Sequence, residues 1–329
     1  MRLGTIHSFE SLPGDSGGAA AIYEAGLEQV VRSEEIGYDW VNITEHHATD
    51  DGYCPALMPV LAAMAVRTKR IGVSTGMLIL PLHHPVRIAE EAAVIDALSG
   101  GRLTLGVAAG YRELEFDLFG SDYRSRGKRL DESIEVLLKA WAGEPFAYSG
   151  ETISFPEIVV RPRPVQRPHP PLWLGGVSNA ALRRAVKHDS PCFPGATATV
   201  SEVAERFALY NEIRDETGAD TPGELILARL AFIGDTLEDA RRVALPAIEA
   251  MFDRYVAYGN PPAVKEALSD WSVLDQYVIV GDDEYCAEQL QRLTELGVTD
   301  LMLQFAMPSL RPAQAMEAME RFATLPHGD

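Results

Sequence analysis

One pattern constrains this chain more than any other: short apolar stretches alternate eight times with longer amphipathic ones. Brief runs rich in Val, Ile and Leu, bounded by turn residues, read as buried strands, and the segments between them carry the 3.6-residue period of helices. Strands buried on both faces belong to parallel sheets, whose crossovers are helices. Strands are expected at 2–7, 39–43, 70–80, 102–108, 172–175, 192–194, 225–233 and 300–305. Helices are expected at 19–36, 55–66, 86–98, 126–141, 178–187, 200–216, 236–253 and 282–296. Gly37 and the pair Gly100-Gly101 stand where helices need a left-handed cap, and Pro85 where a helix can start.

Eight strands, nearly all followed by helices, predict a closed (β/α)8 barrel, with a doubly wound open sheet as the rival. The 329 residues suit one barrel domain over 1–329, since the fold takes about 250 residues before insertions. Two stretches break the rhythm. Around 144–170 the sequence reads as a small hairpin, turning at Ser149-Gly150, and then as a proline-rich extended connector. At 255–277, which contains Pro261-Pro262, it reads as an irregular excursion over one barrel end. Tyr255, Tyr258, Trp271 and Leu274 there would face a pocket.

Composition narrows the function classes. A formal charge of −19 argues against nucleic acid and anionic membrane, both of which need a basic face. No apolar run approaches the ~18–20 residues that span a bilayer, and MRLGTIHSFE lacks the basic start and apolar run of a secretory leader, so a cytoplasmic protein is expected. Cys54, Cys192 and Cys286 are widely spaced with no CxxC, which disfavours a disulfide framework and a structural zinc site.

In a barrel of this kind chemistry sits at the C-terminal ends of the strands. That rule selects Thr44-Glu45-His46-His47 after the second strand, Leu80-Pro81-Leu82-His83-His84 after the third, Gly106-Val107-Ala108-Ala109-Gly110-Tyr111 at the fourth and Gly175-Gly176-Val177-Ser178 after the fifth. Glu45, His46 and His47 offer proton transfer near neutral pH, or else histidines satisfied by hydrogen bonds within the barrel. No metal is expected, because adjacent residues on an extended segment point apart and the HExxH spacing is absent. The glycines before Ser178 suit an anion at a helix N-terminus, although Ser178 is equally an ordinary N-cap. GxSxG, Walker and GxGxxG motifs are absent.

Together these segments resemble the luciferase-like flavin-dependent monooxygenases. The resemblance rests on Glu45-His46-His47, on 75–87 (TGMLILPLHHPVR), on DALSGGRL at 96–103 through Gly110-Tyr111 to Phe119-Gly120, and on Arg161-Pro162-Arg163-Pro164-Val165-Gln166 before Pro170-Pro171-Leu172-Trp173. It implies a (β/α)8 barrel that binds FMN or, in one branch, the deazaflavin F420. In the monooxygenase branch reduced FMN comes from a separate flavin reductase and reacts with O2 to a C4a-hydroperoxide, which oxygenates a small organic substrate. In the F420 branch the same barrel is a dehydrogenase or reductase, and a flavin-binding protein without catalysis is a third alternative. By the same resemblance His46 matches the catalytic histidine, with Glu45 beside it. Gly76-Met77 matches a strand-three position, often a non-proline cis peptide, against the flavin ring. Ala108, Ala109 and Tyr111 fall beside the cofactor, and Gly176, Val177 and Ser178 match the phosphate loop. One departure is Ala109, where bacterial luciferase carries an arginine for the phosphate. A homodimer is expected.

Overall fold

In a computed structural model of the chain, which describes residues 1–10, 18–219, 223–259 and 263–326, strands and helices alternate as expected. The order is β1 (Arg2–His7), α1 (Gly18–Glu35), β2 (Trp40–Ile43), α2 (Leu57–Arg67), β3 (Gly72–Thr75), β4 (Leu78–Ile79), α3 (Pro85–Ser99), β5 (Leu103–Ala108), α4 (Glu113–Phe119) and α5 (Arg126–Ala142). A hairpin of β6 (Phe146–Ser149) and β7 (Ser154–Ile158) follows, then β8 (Leu172–Gly175), α6 (Asn179–Lys187), β9 (Cys192–Phe193), α7 (Val200–Glu216), β10 (Ile226–Ile233) and α8 (Leu237–Ala257). The chain continues through α9 (Ala263–Glu266), α10 (Trp271–Leu274), β11 (Val278–Gly281), α11 (Asp283–Leu296), β12 (Asp300–Gln304) and α12 (Pro312–Phe322).

The main sheet is parallel in the order β11-β10-β12-β1-β2-β3-β5-β8-β9, with β4 continuing the third strand against β5. A parallel bridge from Cys192 to Leu225, beside an N–H of Cys192 donated to Glu224 O at 2.9 Å, stitches β9 to the start of β10 and closes the ring of eight. Closure buries both faces of the strands, and every residue of β10 is buried. The outward residues Val41, Ile43, Val73, Leu105 and Leu301 join the layer under the helices, whereas Ile6, Trp173, Phe193, Ile226, Ala228 and Met302 pack inside the ring. Near the N-terminal ends of the strands, Trp40 and Trp173 meet edge to face at 5.1 Å and plug the barrel. Gly72 is needed for that plug, because a Cβ there would stand 2.1 Å from Trp40 Cε3.

The differences from the sequence reading are local. The third strand is interrupted at Gly76-Met77, whose peptide bond is cis, as the resemblance implied. Residues 113–119 form a helix that the apolar pattern did not announce. Val278–Gly281 is a ninth strand of the main sheet, paired with the second half of β10 while β12 takes the first half. The stretch 255–277 is mostly helical, not irregular; Pro261-Pro262 lie outside the described residues. Among the described residues no helix is long and apolar enough to cross a membrane.

The proline-rich connector at 161–171 forms neither helix nor strand and bends at 165–168, and Asp96 of α3 fixes it. The buried carboxylate accepts N–H bonds from Val165 (2.6 Å) and Gln166 (2.9 Å) and one from Gln166 Nε2 (2.7 Å). Replacing Asp96 with Ala strands these donors, and urea unfolding is expected to show a loss of about 2–4 kcal/mol. A loss within the error of the wild type would mean that the connector holds itself.

Candidate active site

His46 stands three residues beyond the end of β2, at the barrel mouth, with a side chain 11 % exposed. Its Nδ1 lies 3.0 Å from Oε1 of Glu115, a wholly buried residue of α4. The same oxygen accepts the backbone N–H of His47 at 3.0 Å. The opposite nitrogen, Nε2, lies 3.4 Å from the Tyr111 hydroxyl. Tyr53 and Tyr258 flank the ring with centroids at 5.0 and 4.7 Å. Burial pushes the Tyr53 phenol far above its usual range and that of Tyr258 to about 12, so both remain O–H groups at neutral pH. Arg112 closes the cluster: its guanidinium donates to His47 O, stacks over Tyr258 at 4.8 Å and approaches Glu115 Oε1 at 3.6 Å.

Glu45 does something else. Its Oε1 accepts from His47 Nε2 at 2.9 Å and His83 Nε2 at 2.8 Å, and its Oε2 accepts the Ile79 N–H at 2.5 Å. Burial alone would raise this carboxyl, but the two imidazoles and the amide hold it down at about 2. Glu45 thus ties the loop after β2 to the end of the third strand and points its charge away from His46. Glu45, His47 and His83 also form a trio whose donor atoms lie within 4.8 Å of one another. Both nitrogen–oxygen separations are hydrogen-bond lengths, shorter than the ~3.3 Å between ligands on a tetrahedral zinc, so the trio fits a hydrogen-bonded brace.

The floor beside His46 is built from small residues. A Cβ on Gly76 would meet Asn42 at 2.3 Å, on Gly106 the carbonyl of Thr75 at 1.9 Å, and on Gly175 the Met77 side chain at 2.9 Å. The glycines thus let Asn42, Thr75 and Met77 pack closely against three neighbouring strands, where Gly76, Met77, Ala108, Ala109 and Gly175 are half-buried and Gly106 is buried. Beyond this floor, α6 opens with Ser178 as N-cap, whose Oγ accepts from Ala181 N at 3.2 Å. The Gly176 amide is already bound to Phe193 O at 3.0 Å, so that residue does not supply the donor expected of it. The amides of Val177 and Ser178 donate to no partner among the described residues and remain for an anion, with the helix dipole behind them.

The C-terminal end of α8 crosses the mouth. Arg254 there pairs with Glu10 after β1 and with Asp51 after β2, the latter at 2.8 Å. Burial raises the Glu10 carboxyl to about 7 despite Arg254. Of the four residues expected to cover the pocket, Tyr258 does so against His46, and Tyr255 lies close to Glu10 and Tyr111. Trp271 instead packs under Arg241 at 4.7 Å, and Leu274 is buried beneath the helices. Sequence reasoning missed Glu115, Tyr53 and Arg112. The segment Arg112-Glu113-Leu114-Glu115 reads as a charged surface turn, and nothing local marks one of its acids as buried.

The motif set and the geometry agree with what known proteins show. The family described as luciferase-like monooxygenase matches residues 1–300. The chain belongs to that family. The protein y4vJ of Sinorhizobium fredii is 30 % identical over 53 % of this chain, an alignment spanning 50 % of that protein. The oxygenase component of a flavin-dependent trigonelline monooxygenase from Acinetobacter baylyi is 29 % identical over 68 % of this chain and 62 % of its own. The alkanal monooxygenase alpha chain of Photobacterium leiognathi is 28 % identical over 78 % and 72 %. Among solved structures, monooxygenase RslO1 from Streptomyces bottropensis superposes with a TM-score of 0.88 at 22 % identity over 98 % of both chains. The FMN complex of the oxygenating constituent of 3,6-diketocamphane monooxygenase from Pseudomonas putida gives 0.80 at 18 % over 98 % and 97 %, and the F420-dependent tetrahydromethanopterin reductase of Methanopyrus kandleri 0.78 at 19 % over 98 % and 97 %. At these identities the structural likeness speaks for the barrel. The chain thus has the parallel barrel of the luciferase-like monooxygenase family, whose alignments with y4vJ and the trigonelline oxygenase span 50 % and 62 % of those proteins.

The Glu45 brace gives a prediction with a definite sign. Its folded value, about 2, lies below the ordinary 4.5, so its stabilisation is complete above about pH 4.5 and vanishes as the pH falls from there towards 2. That depression corresponds to about 3 kcal/mol at neutral pH. Glu45→Gln is expected to melt well below the wild type at pH 7, with the gap closing as acid is added. A gap independent of pH would show that charge on Glu45 contributes nothing.

Proposed function

We propose that this chain is the oxygenase component of a two-component flavin monooxygenase. It would bind reduced FMN delivered by a separate flavin reductase and use O2 to oxygenate a small organic substrate, in the cytoplasm where such reductases work. The observation that carries the reading is His46, its Nε2 turned to the mouth beside a glycine-lined floor. Support comes from the oxygenase component and the alkanal monooxygenase among the relatives.

The residues fit a flavin. Gly76, Met77, Gly106, Ala108 and Gly175 would receive the ring, and the free amides of Val177 and Ser178 the phosphate. When bound, reduced FMN supplies the electrons that activate O2. The chain's own part is to hold the ring flat, to cover it with Tyr258 and the end of α8, and to hold or move a proton at His46 Nε2. Excluding water is the purpose of such a cover. Tyr111 steers that nitrogen, and Glu45 keeps the loop in place.

The second reading is an F420-dependent dehydrogenase or reductase. An F420-dependent reductase shares the barrel, and Ala109, a side chain without charge, leaves the choice between the two cofactors open. Anaerobic titration with reduced FMN, reduced F420 and riboflavin, followed by admission of O2, separates the two. Monooxygenase chemistry predicts binding of reduced FMN, weaker binding of riboflavin, and an oxygenated absorbance distinct from free reduced and oxidised flavin. Binding of F420 with no response to O2 would transfer the assignment to the second reading. In either case His46→Ala is expected to keep flavin affinity and lose about 10²–10⁴-fold in turnover. Undiminished turnover would remove His46 from the chemistry and favour a flavin carrier.

A homodimer completes the reading. Val66 of α2 and Val94 and Leu98 of α3 are 45–50 % exposed on two helices that pack side by side. Sedimentation is expected to find a dimer that Val94→Asp with Leu98→Asp converts to monomer; a dimer unaffected by that pair would place the contact elsewhere.

A further inference from the structure

Resting on the reading of His46 as the proton-handling group, we propose that Glu115 is its positioning residue. Glu115 keeps the proton of the neutral imidazole on Nδ1, so that Nε2 presents a lone pair to the barrel mouth.

The geometry starts from one oxygen. Glu115 Oε1 sits 3.0 Å from His46 Nδ1 and 3.0 Å from the His47 backbone nitrogen. A backbone N–H can only donate, so Oε1 is an acceptor in that bond. An ionised carboxylate has no proton to give, so the bond to the ring must be Nδ1–H···Oε1. Arg112 Nη1 lies 3.6 Å from the same oxygen. With the proton held on Nδ1, Nε2 of a neutral ring is bare. It lies 3.4 Å from the Tyr111 hydroxyl, with Tyr53 and Tyr258 beside the ring. Which histidine nitrogen carries the proton is set by the partner of the other, and a buried carboxylate behind a catalytic imidazole does this on unrelated folds.

A purely structural role explains the arrangement poorly. Glu115 is 1 % exposed at its side chain, and its second oxygen, Oε2, is buried with no hydrogen-bond partner. A buried charge is costly unless its oxygens are satisfied. Glu45, one residue before His46, shows what a bracing carboxylate looks like: both its oxygens are occupied. In Glu115 both hydrogen bonds are made by the oxygen that faces His46. The Arg112 guanidinium that backs it also lies over Tyr258, so the group that orients the imidazole touches the segment that covers it.

The test needs no substrate. Protein labelled with 15N-histidine is studied at about pH 8, above the ordinary histidine range. The His46 signals are assigned by their loss in His46→Gln. The wild type is expected to show His46 as the Nδ1–H tautomer. In Glu115→Leu the oxygen that accepts from Nδ1 is gone, and the ring is expected to move towards the Nε2–H tautomer while the other histidine signals hold. Glu115→Asp, which keeps the charge on a shorter arm, is expected to retain the wild-type tautomer. In the reconstituted enzyme Glu115→Gln should lower kcat by about 10–100-fold with little change in KM for reduced flavin. A wild-type His46 in the Nε2–H form overturns the proposal, even if no Glu115 variant folds. So does a folded Glu115→Leu protein whose His46 tautomer is unchanged. Failure of the His46 reading shows elsewhere, as undiminished turnover in His46→Ala, so the two failures are distinguishable.

Discussion

A parallel sheet that closes on itself leaves its strands no face for water, and in this barrel that condition governs where everything else can go. Val, Ile and Leu fill the outward face under the helices, and Trp40, Trp173, Phe193 and Met302 fill the inside. With both faces committed to packing, charged groups have room chiefly where the strands end. The tryptophan plug takes up the N-terminal half of the interior. Glycines at 76, 106 and 175 let Asn42, Thr75 and Met77 pack close against the strands in the C-terminal half. The site is thus what remains when the rest of the barrel has been filled.

Polar groups gathered in a half-buried layer must satisfy one another, because water reaches few of them. Three carboxylates do this work in different ways. Glu45 binds two imidazoles and an amide and locks the loop after β2 to the third strand. Glu10 shares Arg254 with Asp51 and fastens the end of α8 across the mouth. Glu115 takes the His46 ring and the next amide. Once Glu45 has claimed His47 and His83, His46 is the histidine of that loop with a nitrogen turned to the mouth. The triple-residue motif therefore divides into a brace and a histidine held by Glu115, a division that its spacing alone does not express.

Much of this was legible beforehand. The apolar runs announced the eight strands of the ring, including the two-residue β9, because burial on both faces demands such runs. Glu45-His46-His47, Gly76-Met77 and the turn into α6 were found by position after strands and by resemblance. Other features were hidden for physical reasons. The four residues of β11 abut a helix N-cap and are too few to show a period. The seven-residue α4 carries Leu114 and Leu118 on its exposed side and Glu115 on its buried one, an inverted pattern that hydrophobicity cannot decode. The Gly176 amide looked free because its acceptor, Phe193 O, belongs to the next strand.

Local chemistry, then, determined by itself the barrel, the face on which function lies and the residue types that gather there, since strand burial, helix period and glycine at a close approach are written in neighbouring positions. Tertiary structure alone decided which acid serves which base. Glu115 reaches His46 across 69 residues and Glu45 reaches His83 across 38. Such pairs are chosen by where the closing sheet brings separate loops together, and a charged residue carries no mark in the chain of whether it will be solvated or buried against a partner.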